Sequence, residues 1–145
     1  MRSHSRKKII YLSAAVTQVT ERNLQSNQVL TKLQRMPDAT TAKIAALNDQ
    51  ARQTFGECRV VITQGVSELG KVDVAYILDK VRKYKDFTPI NDPYFEHDFG
   101  SIQFGESTIF WKIDYYDIDL QMHSPDPSDP AVTTRILTIM LAEEY

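Results

Sequence analysis

The chain has 145 residues, of which 42% are hydrophobic and 25% are charged, as expected for one folded domain rather than a disordered segment. Its single cysteine excludes an intramolecular disulfide, and one cysteine with three histidines excludes a cysteine-rich zinc site. No apolar run approaches the roughly 18 residues that a membrane helix requires, so we expect no membrane partner.

Charge is distributed unevenly along the chain, although the formal net charge is only −2. Residues 1–36 carry seven basic residues and one acidic residue, a net charge of +6. Residues 37–90 carry eight and seven, a net charge of +1, and residues 91–145 carry two and eleven, a net charge of −9. A basic arm on an acidic body indicates a nucleic-acid tail, an arm that docks within the molecule, or a surface for a partner.

Residues 1–36 are predicted to form a basic, helical extension that precedes a single α+β domain at residues 40–145. The extension has apolar residues at helical spacing: Ile9, Leu12, Val16 and Val19. The pattern fades between residues 23 and 28, so we expect one broken helix or a helical hairpin. Met36 ends this segment, because a residue before proline is disfavoured in the helical conformation.

The start of the chain also has a weak similarity to a signal peptide, since basic residues precede the apolar stretch at residues 9–16. That stretch is short, and the chain offers no disulfide framework of the kind common in secreted domains. We therefore expect a cytoplasmic protein.

Residues 40–85 are predicted to fold as a helix, a strand and a helix. Thr40 or Thr41 can cap the first helix. Its apolar residues recur at helical spacing: Ile44, Leu47, Ala51 and Phe55. A β-branched strand follows at residues 59–64, with Cys58 as a buried apolar residue, and the next helix extends to about Lys85.

Residues 100–122 are predicted to form three antiparallel strands. Gly105 and Glu106 can make a two-residue hairpin turn between the first two. The second strand has one apolar face: Ile109, Trp111, Ile113 and Tyr115. The alternation of Ile118, Leu120 and Met122 with polar residues predicts the third strand.

The end of the chain is predicted to be a loop followed by a buried helix. Prolines at 125, 127 and 130 exclude a regular element at residues 124–130. Asp129 can cap the last helix, with Pro130 at its first position. Residues 132–141 are apolar over most of a helical circumference. The fold class is therefore α+β: helix–strand–helix, a three-stranded antiparallel meander and a C-terminal buried helix.

Histidines and aspartates between residues 96 and 126 provide weak candidates for a catalytic or metal site. Imidazole and carboxylate groups ligate divalent cations and exchange protons. The candidate catalytic residues are His97, Asp98, Asp114 and His123, and the candidate metal ligands are His97, Asp114 and Asp117. A structural interpretation competes, because acids commonly occupy turns and the outward face of an antiparallel sheet. The sequence contains no phosphate loop, paired helical histidines or nucleophile elbow. We therefore expect no cofactor and favour a non-enzymatic function, with enzymatic activity left open.

The acidic second half of the chain also contains candidates for binding a protein partner. Trp111 and Tyr115 are predicted to be core residues, whereas Tyr116 is better placed for a surface contact. The candidate binding residues are Tyr116, Asp117, Asp119, Asp126 and Asp129. The net charge of −9 in this half disfavours nucleic-acid phosphate as the ligand of these side chains.

Four stretches of the second half resemble one family of small bacterial proteins: Asn91–Pro93, Glu96–Gly100, Trp111–Asp117 and Ser124–Tyr145. Over about residues 42–145 the chain is similar to the family catalogued as domain of unknown function 3768, whose pattern does not include residues 1–36. The resemblance implies an accessory protein of alphaproteobacterial plasmids and integrative elements. The family has no established activity, so the resemblance assigns no functional residue.

Three functions remain as alternatives. The leading hypothesis is a non-enzymatic binding protein of a mobile element that inhibits a host defence nuclease of the CRISPR or restriction type. Its acidic surface would occupy a basic nucleic-acid channel, although the link to defence enzymes is an argument by association. The second is a metal-dependent hydrolase or nuclease that uses the His/Asp candidates. The third is nucleic-acid binding through residues 1–36, which we also predict to pack on the acidic body or on a second copy as a homodimer.

Overall fold

The computed structural model describes residues 21–29 and 36–145 of the chain. The chain divides into two units, Met1–Met36 and Pro37–Tyr145. In the first unit, residues 21–29 form one helix, which runs through the polar stretch where the apolar pattern fades. The apolar stripe expected at residues 9–19, and the docking, dimerisation or nucleic-acid binding predicted from it, lie outside the described residues. Within the described residues, no helix is long and apolar enough to cross a membrane.

The second unit begins with helix α1, Ala39–Thr54, as the apolar spacing predicted. The N-cap residue is Asp38, immediately before the helix, and not Thr40 or Thr41 as predicted. The Asp38 carboxylate accepts a hydrogen bond from the N–H of Thr41 at 2.7 Å, which satisfies a free donor of the first turn. The buried face of α1 includes two polar side chains among its apolar ones: Ile44, Ala45, Asn48, Ala51 and Arg52.

A strand and two helices follow α1. They are β1 at Cys58–Ile62, a single-turn helix α2 at Gln64–Ser67, and α3 at Lys71–Arg82. The helix–strand–helix order expected for this region is confirmed, with the additional single-turn helix α2 between β1 and α3. Helix α3 ends three residues before Lys85, at a point where carbonyl groups of its last turn accept hydrogen bonds from Arg52 of α1.

One four-stranded mixed sheet forms the centre of this unit. It contains β1 with β2 at Phe99–Phe104, β3 at Ser107–Tyr116 and β4 at Thr134–Leu141, in the order β1-β4-β3-β2. Strand β3 is antiparallel to both β2 and β4, whereas β1 runs parallel to β4. Gly105 has a φ of +57° in the β2–β3 hairpin, which confirms the predicted turn.

The prediction of a C-terminal helix is wrong, because residues 134–141 form the interior strand β4. In β4 one face is buried and the other is partly covered, so its sequence is nearly as apolar as that of a helix buried all round. Burial in β4 alternates with a period of two, with Arg135, Leu137 and Ile139 on the fully buried face. The expected cap, Asp129, instead accepts a hydrogen bond from Ala131 N–H within a turn.

The prediction of a third meander strand at residues 118–122 is also wrong. The carboxylate of Asp117 accepts a hydrogen bond from Gln121 N–H at 2.8 Å, and Asp117 N–H donates to the Met122 carbonyl at 2.9 Å. Leu120 adopts a left-handed φ of 58°. These bonds close a tight loop in place of a strand. Ile118 and Met122, whose alternation with polar residues predicted burial on one face, are therefore exposed.

The core lies on one face of the sheet, and Trp111 is at its centre, as predicted. Helices α2 and α3 contribute Val66, Ile77 and Val81 to this core. At the end of the sheet where β3 finishes and β4 begins, polar side chains replace the apolar ones. The loops at residues 83–98 and 117–133 lie at the same end, so most of the candidate functional residues are found there.

Candidate functional site

A buried polar network joins α1 to the sheet, with the fully buried Asn48 at its centre. Asn48 Nδ2 donates to the Tyr115 hydroxyl at 2.7 Å and to the Glu96 carbonyl at 2.9 Å. The Tyr115 hydroxyl donates in turn to Glu96 Oε2 at 2.8 Å. Arg135 Nε donates to Asn48 Oδ1 at 2.8 Å. Two neutral side chains therefore connect the cation of Arg135 to the carboxylate of Glu96.

Arg135 is a buried cation that the network holds in one position. Its side chain is only 4% exposed, its Nη2 donates to the Pro127 carbonyl at 2.6 Å, and its guanidinium lies 5.3 Å from the centre of the Tyr115 ring. Burial lowers the pKa of Arg135, and the nearby Tyr115 and Glu96 oppose that shift. Burial also raises the pKa of Tyr115 well above its ordinary value, so its hydroxyl keeps its proton and remains a donor.

A second buried cation, Arg52, joins α1 to the end of α3. Its Nη1 donates to the Val81 and Arg82 carbonyls, both at 2.9 Å. Its Nη2 forms an ion pair with Asp49 at 2.7 Å. A cation at the carboxyl end of a helix is favoured by the helix dipole. Arg52 therefore fixes the packing of the two helices, and it also orients Asp49.

His97 lies between two carboxylates, and this arrangement holds the loop before β2 against α1. Its Nδ1 is 2.9 Å from Asp49 Oδ2, and its Nε2 is 3.7 Å from Oδ2 of the buried Asp92. The imidazole stacks on the ring of Phe87, with centroids 3.9 Å apart and an interplanar angle of 3°. The backbone of His97 has a left-handed φ of 54°, which is uncommon for a residue other than glycine. Among the described residues, the partners of its ring are carboxylates and a phenyl ring, with no hydroxyl or thiol nucleophile.

Asp98 is the described carboxylate with the most strongly raised pKa, about 6. Burial is the main cause, and the charges of Glu96, Asp92 and Asp114 add to it. A carboxyl group that titrates near neutral pH is a common feature of functional sites, although structural clusters also produce it. Here burial accounts for most of the raised pKa, and the neighbouring carboxylates at this end of the sheet add to it.

The structure brings Asp98 and Asp114 near enough for their charges to interact, but it does not gather the candidate metal ligands at one point. His97 faces Asp49 and Asp92, whereas Asp114 forms an ion pair with Lys112 at 2.9 Å. His123 stacks on Tyr116, with ring centroids 6.2 Å apart. Within the part of the chain that the structure describes, no group of three or more His, Cys, Asp or Glu side chains could hold a metal ion. The trio of His97, Asp114 and Asp117 is therefore not brought together.

The candidate binding residues belong to two adjacent loops, residues 117–122 and 124–133, at the same end of the sheet. Asp119 and Asp126 are exposed, and Asp117 and Asp129 are partly exposed. Beside them lie two large apolar side chains that water reaches freely: Ile118 is 56% exposed and Met122 is 72% exposed. We call this set the acidic loop surface: Asp117, Ile118, Asp119, Met122, Asp126 and Asp129. Tyr116 lies next to it, where β3 ends.

Both loops are held in shape by their own aspartates. Besides the bond from Asp117 to Gln121, Asp126 Oδ1 accepts hydrogen bonds from Ser128 N–H at 3.0 Å and Ser128 Oγ at 2.6 Å. These bonds lower the pKa of Asp126, so its carboxylate stays charged in mildly acidic solution. None of the ion pairs among the described residues involves these loop aspartates. The acidic loop surface is therefore negatively charged and locally rigid.

The buried network was not predicted from the sequence. Asn48 and Arg52 are four residues apart on α1, on the same side as Ile44 and Ala51. Polar residues at helical spacing beside an apolar stripe are a signal that could have identified the α1 half of the network. The partners of Asn48, which are Glu96, Tyr115 and Arg135, are far away in sequence, and no local pattern indicates them.

Comparison with known proteins gives one match. The family model described as "Protein of unknown function (DUF3768)" matches residues 62–144. The matched span includes β2, β3, β4 and the acidic loop surface, and it begins later than the residue 42 expected from the resemblance. A search of curated proteins and a search of solved structures each found no match.

Proposed function

We propose a binding function for this chain, which belongs to the DUF3768 family: the acidic loop surface is the contact site for a basic protein partner. In the full form of the proposal, the chain is an accessory protein of a mobile element. Its partner is the nuclease of a host defence system, and it acts by occupying a nucleic-acid channel rather than by catalysis.

The observation that carries the proposal is the combination of exposed apolar side chains with unpaired carboxylates. Ile118 and Met122 are 56% and 72% exposed, so both leave apolar surface in contact with water. Methionine is enriched at protein interfaces, and an apolar centre with a polar rim is the usual organisation of such a site. Asp117 and Asp119 flank Ile118 in the same loop, and they supply that rim.

Charge and rigidity together favour a basic partner. Exposed carboxylates that form no ion pair are strongly hydrated, and a row of lysines or arginines would compensate for the loss of that water. Because bonds made by Asp117 and Asp126 already fix the two loops, binding would order little additional backbone. A nuclease channel carries the required positive charge because it binds phosphate.

Capture from a host lysate with intact defence systems tests the proposal, with the full chain as bait. The test variant combines Asp117→Asn and Asp119→Asn, since asparagine keeps the acceptor that Asp117 uses and removes only the charge. The control combines Glu106→Gln and Glu143→Gln, an equal change of charge at the opposite end of the sheet.

The proposal predicts that mass spectrometry identifies a nucleic-acid enzyme held by the wild type and by the control variant. That enzyme should be released by duplex DNA, and the test variant should retain much less of it at moderate salt. Equal retention by the test variant, or retention of no nuclease or defence component by the wild type, would contradict the proposal.

A further inference from the structure

A pocket of about 280 Å³ opens between α1 and the start of β4. It is separate from the acidic loop surface, and its walls come from α1, the turn before β1 and the segment before β4. The lining residues are Leu47, Gln50, Glu57, Pro130, Thr133 and Arg135. Its volume lies just below the range of pockets for drug-sized ligands, which begins at about 300 Å³, so a small metabolite is the appropriate class of occupant.

The wall contributed by Arg135 carries a positive charge that the protein does not neutralise directly. A guanidinium has five N–H donors, and Arg135 uses donors on Nε and Nη2 for Asn48 and the Pro127 carbonyl. None of the ion pairs among the described residues involves Arg135, although its side chain is 96% buried. Buried charges are normally paired, so a ligand carboxylate reaching Arg135 would supply the missing counter-charge.

The remaining walls define the rest of the ligand. Glu57 is exposed and places a carboxylate in the lining, which disfavours a ligand with two or more negative charges. Its φ of 57° is left-handed, so the turn holds the residue in an uncommon conformation. Leu47 and Pro130 provide apolar surface. The pocket therefore offers a buried cation, an exposed anion and apolar walls within one small volume.

We propose that this pocket binds a small zwitterion of the α-amino-acid class. The ligand carboxylate pairs with Arg135, its ammonium group pairs with Glu57, and its side chain contacts Leu47 and Pro130. The site does not depend on the proposed binding of a basic partner, because its residues are different from those of the acidic loop surface.

Thermal unfolding of the full chain tests this assignment. Each proteinogenic amino acid is added singly at about 10 mM, a concentration that detects binding with a millimolar dissociation constant. At least one small apolar amino acid should raise the melting temperature in a concentration-dependent way. Its carboxamide derivative lacks the carboxylate, and the matching deaminated acid lacks the ammonium group. Neither derivative should stabilise the protein to the same extent.

The variant Glu57→Gln removes one half of the recognition and leaves Arg135 and its structural bonds intact. It should lower the affinity for the amino acid about tenfold, as expected for the loss of one charge-assisted contact. The control Glu143→Gln, a similar change at a distant exposed acid, should bind as the wild type does. The proposal is overturned if no amino acid shifts the melting temperature, if the carboxamide binds as well as the parent, or if Glu57→Gln leaves the affinity unchanged.

Discussion

Replacing Asn48 by alanine should be among the most damaging single changes to the second unit. The substitution removes the donor to the Tyr115 hydroxyl, the donor to the Glu96 carbonyl and the acceptor of Arg135 Nε. An unsatisfied buried neutral group costs about 1–3 kcal/mol, and a buried charged donor costs more. Tyr115 keeps its bond to Glu96, which limits the loss. We therefore expect Asn48→Ala to lower the free energy of unfolding by about 3–5 kcal/mol.

Urea unfolding followed by fluorescence measures this loss, since Trp111 is the single tryptophan and is fully buried. The control is Gln53→Ala, on the exposed face of the same helix, which should stay within about 0.5 kcal/mol of the wild type. Because Asn48 and Tyr115 share a hydrogen bond, the double variant with Tyr115→Phe should lose less than the sum of the two single losses. A loss below about 1 kcal/mol for Asn48→Ala, or strict additivity, would refute the description of a coupled network.

Three further predictions concern the same unit. The pKa of Asp98 is about 6 in the folded protein, above its ordinary value of 3.8, because burial disfavours the charged form. The protonated form therefore stabilises the fold, and this contribution is complete below about pH 4 and is lost as the pH rises through 6. Asp98→Asn should therefore raise the free energy of unfolding at pH 7.5 by about 2–3 kcal/mol and make that free energy depend less on pH between 4 and 7. An unchanged slope of the free energy against pH would contradict this. Gly100→Ala places a methyl group into the Trp111 indole and should destabilise the protein by about 1–3 kcal/mol in the same urea assay, whereas an unaltered midpoint would show that the site has free space. Glu144 accepts hydrogen bonds from Thr63 Oγ1 and from the N–H groups of Gly65 and Leu141, so Glu144→Gln should lower the melting temperature more than Glu143→Gln does, and equal effects would argue against this connection.

The elements with clear periodicity were predictable from the sequence. The apolar spacing of α1, the β2–β3 hairpin with Gly105 and the burial of Trp111 all depend on local patterns. Strand β4 was mistaken for a helix because its pairing with β1 connects residues about 77 positions apart, a contact that no local pattern encodes. One face of β4 is buried and the other is partly covered, so the strand is almost as apolar as a buried helix, and composition alone cannot distinguish the two.

The candidate site was predictable only in part. The aspartates of the acidic loop surface were identified by composition and charge, but the exposure of Met122 depends on the loop that Asp117 closes. That loop replaces a predicted strand, because one side chain–backbone hydrogen bond outweighs a short alternating pattern. The network around Asn48 depends on tertiary contacts with Arg135 and Glu96, so it became visible only in the fold.

Site-specific photo-crosslinking in a living host tests the central claim most directly. A photoreactive residue replaces Met122 in the acidic loop surface, and in the control it replaces Ile90, which is 93% exposed in the loop after α3. The account predicts a covalent adduct from position 122 to a nucleic-acid enzyme, such as a defence nuclease, and no such adduct from position 90. The same adduct from both positions, or no adduct from position 122, would contradict the assignment of the acidic loop surface as the binding site.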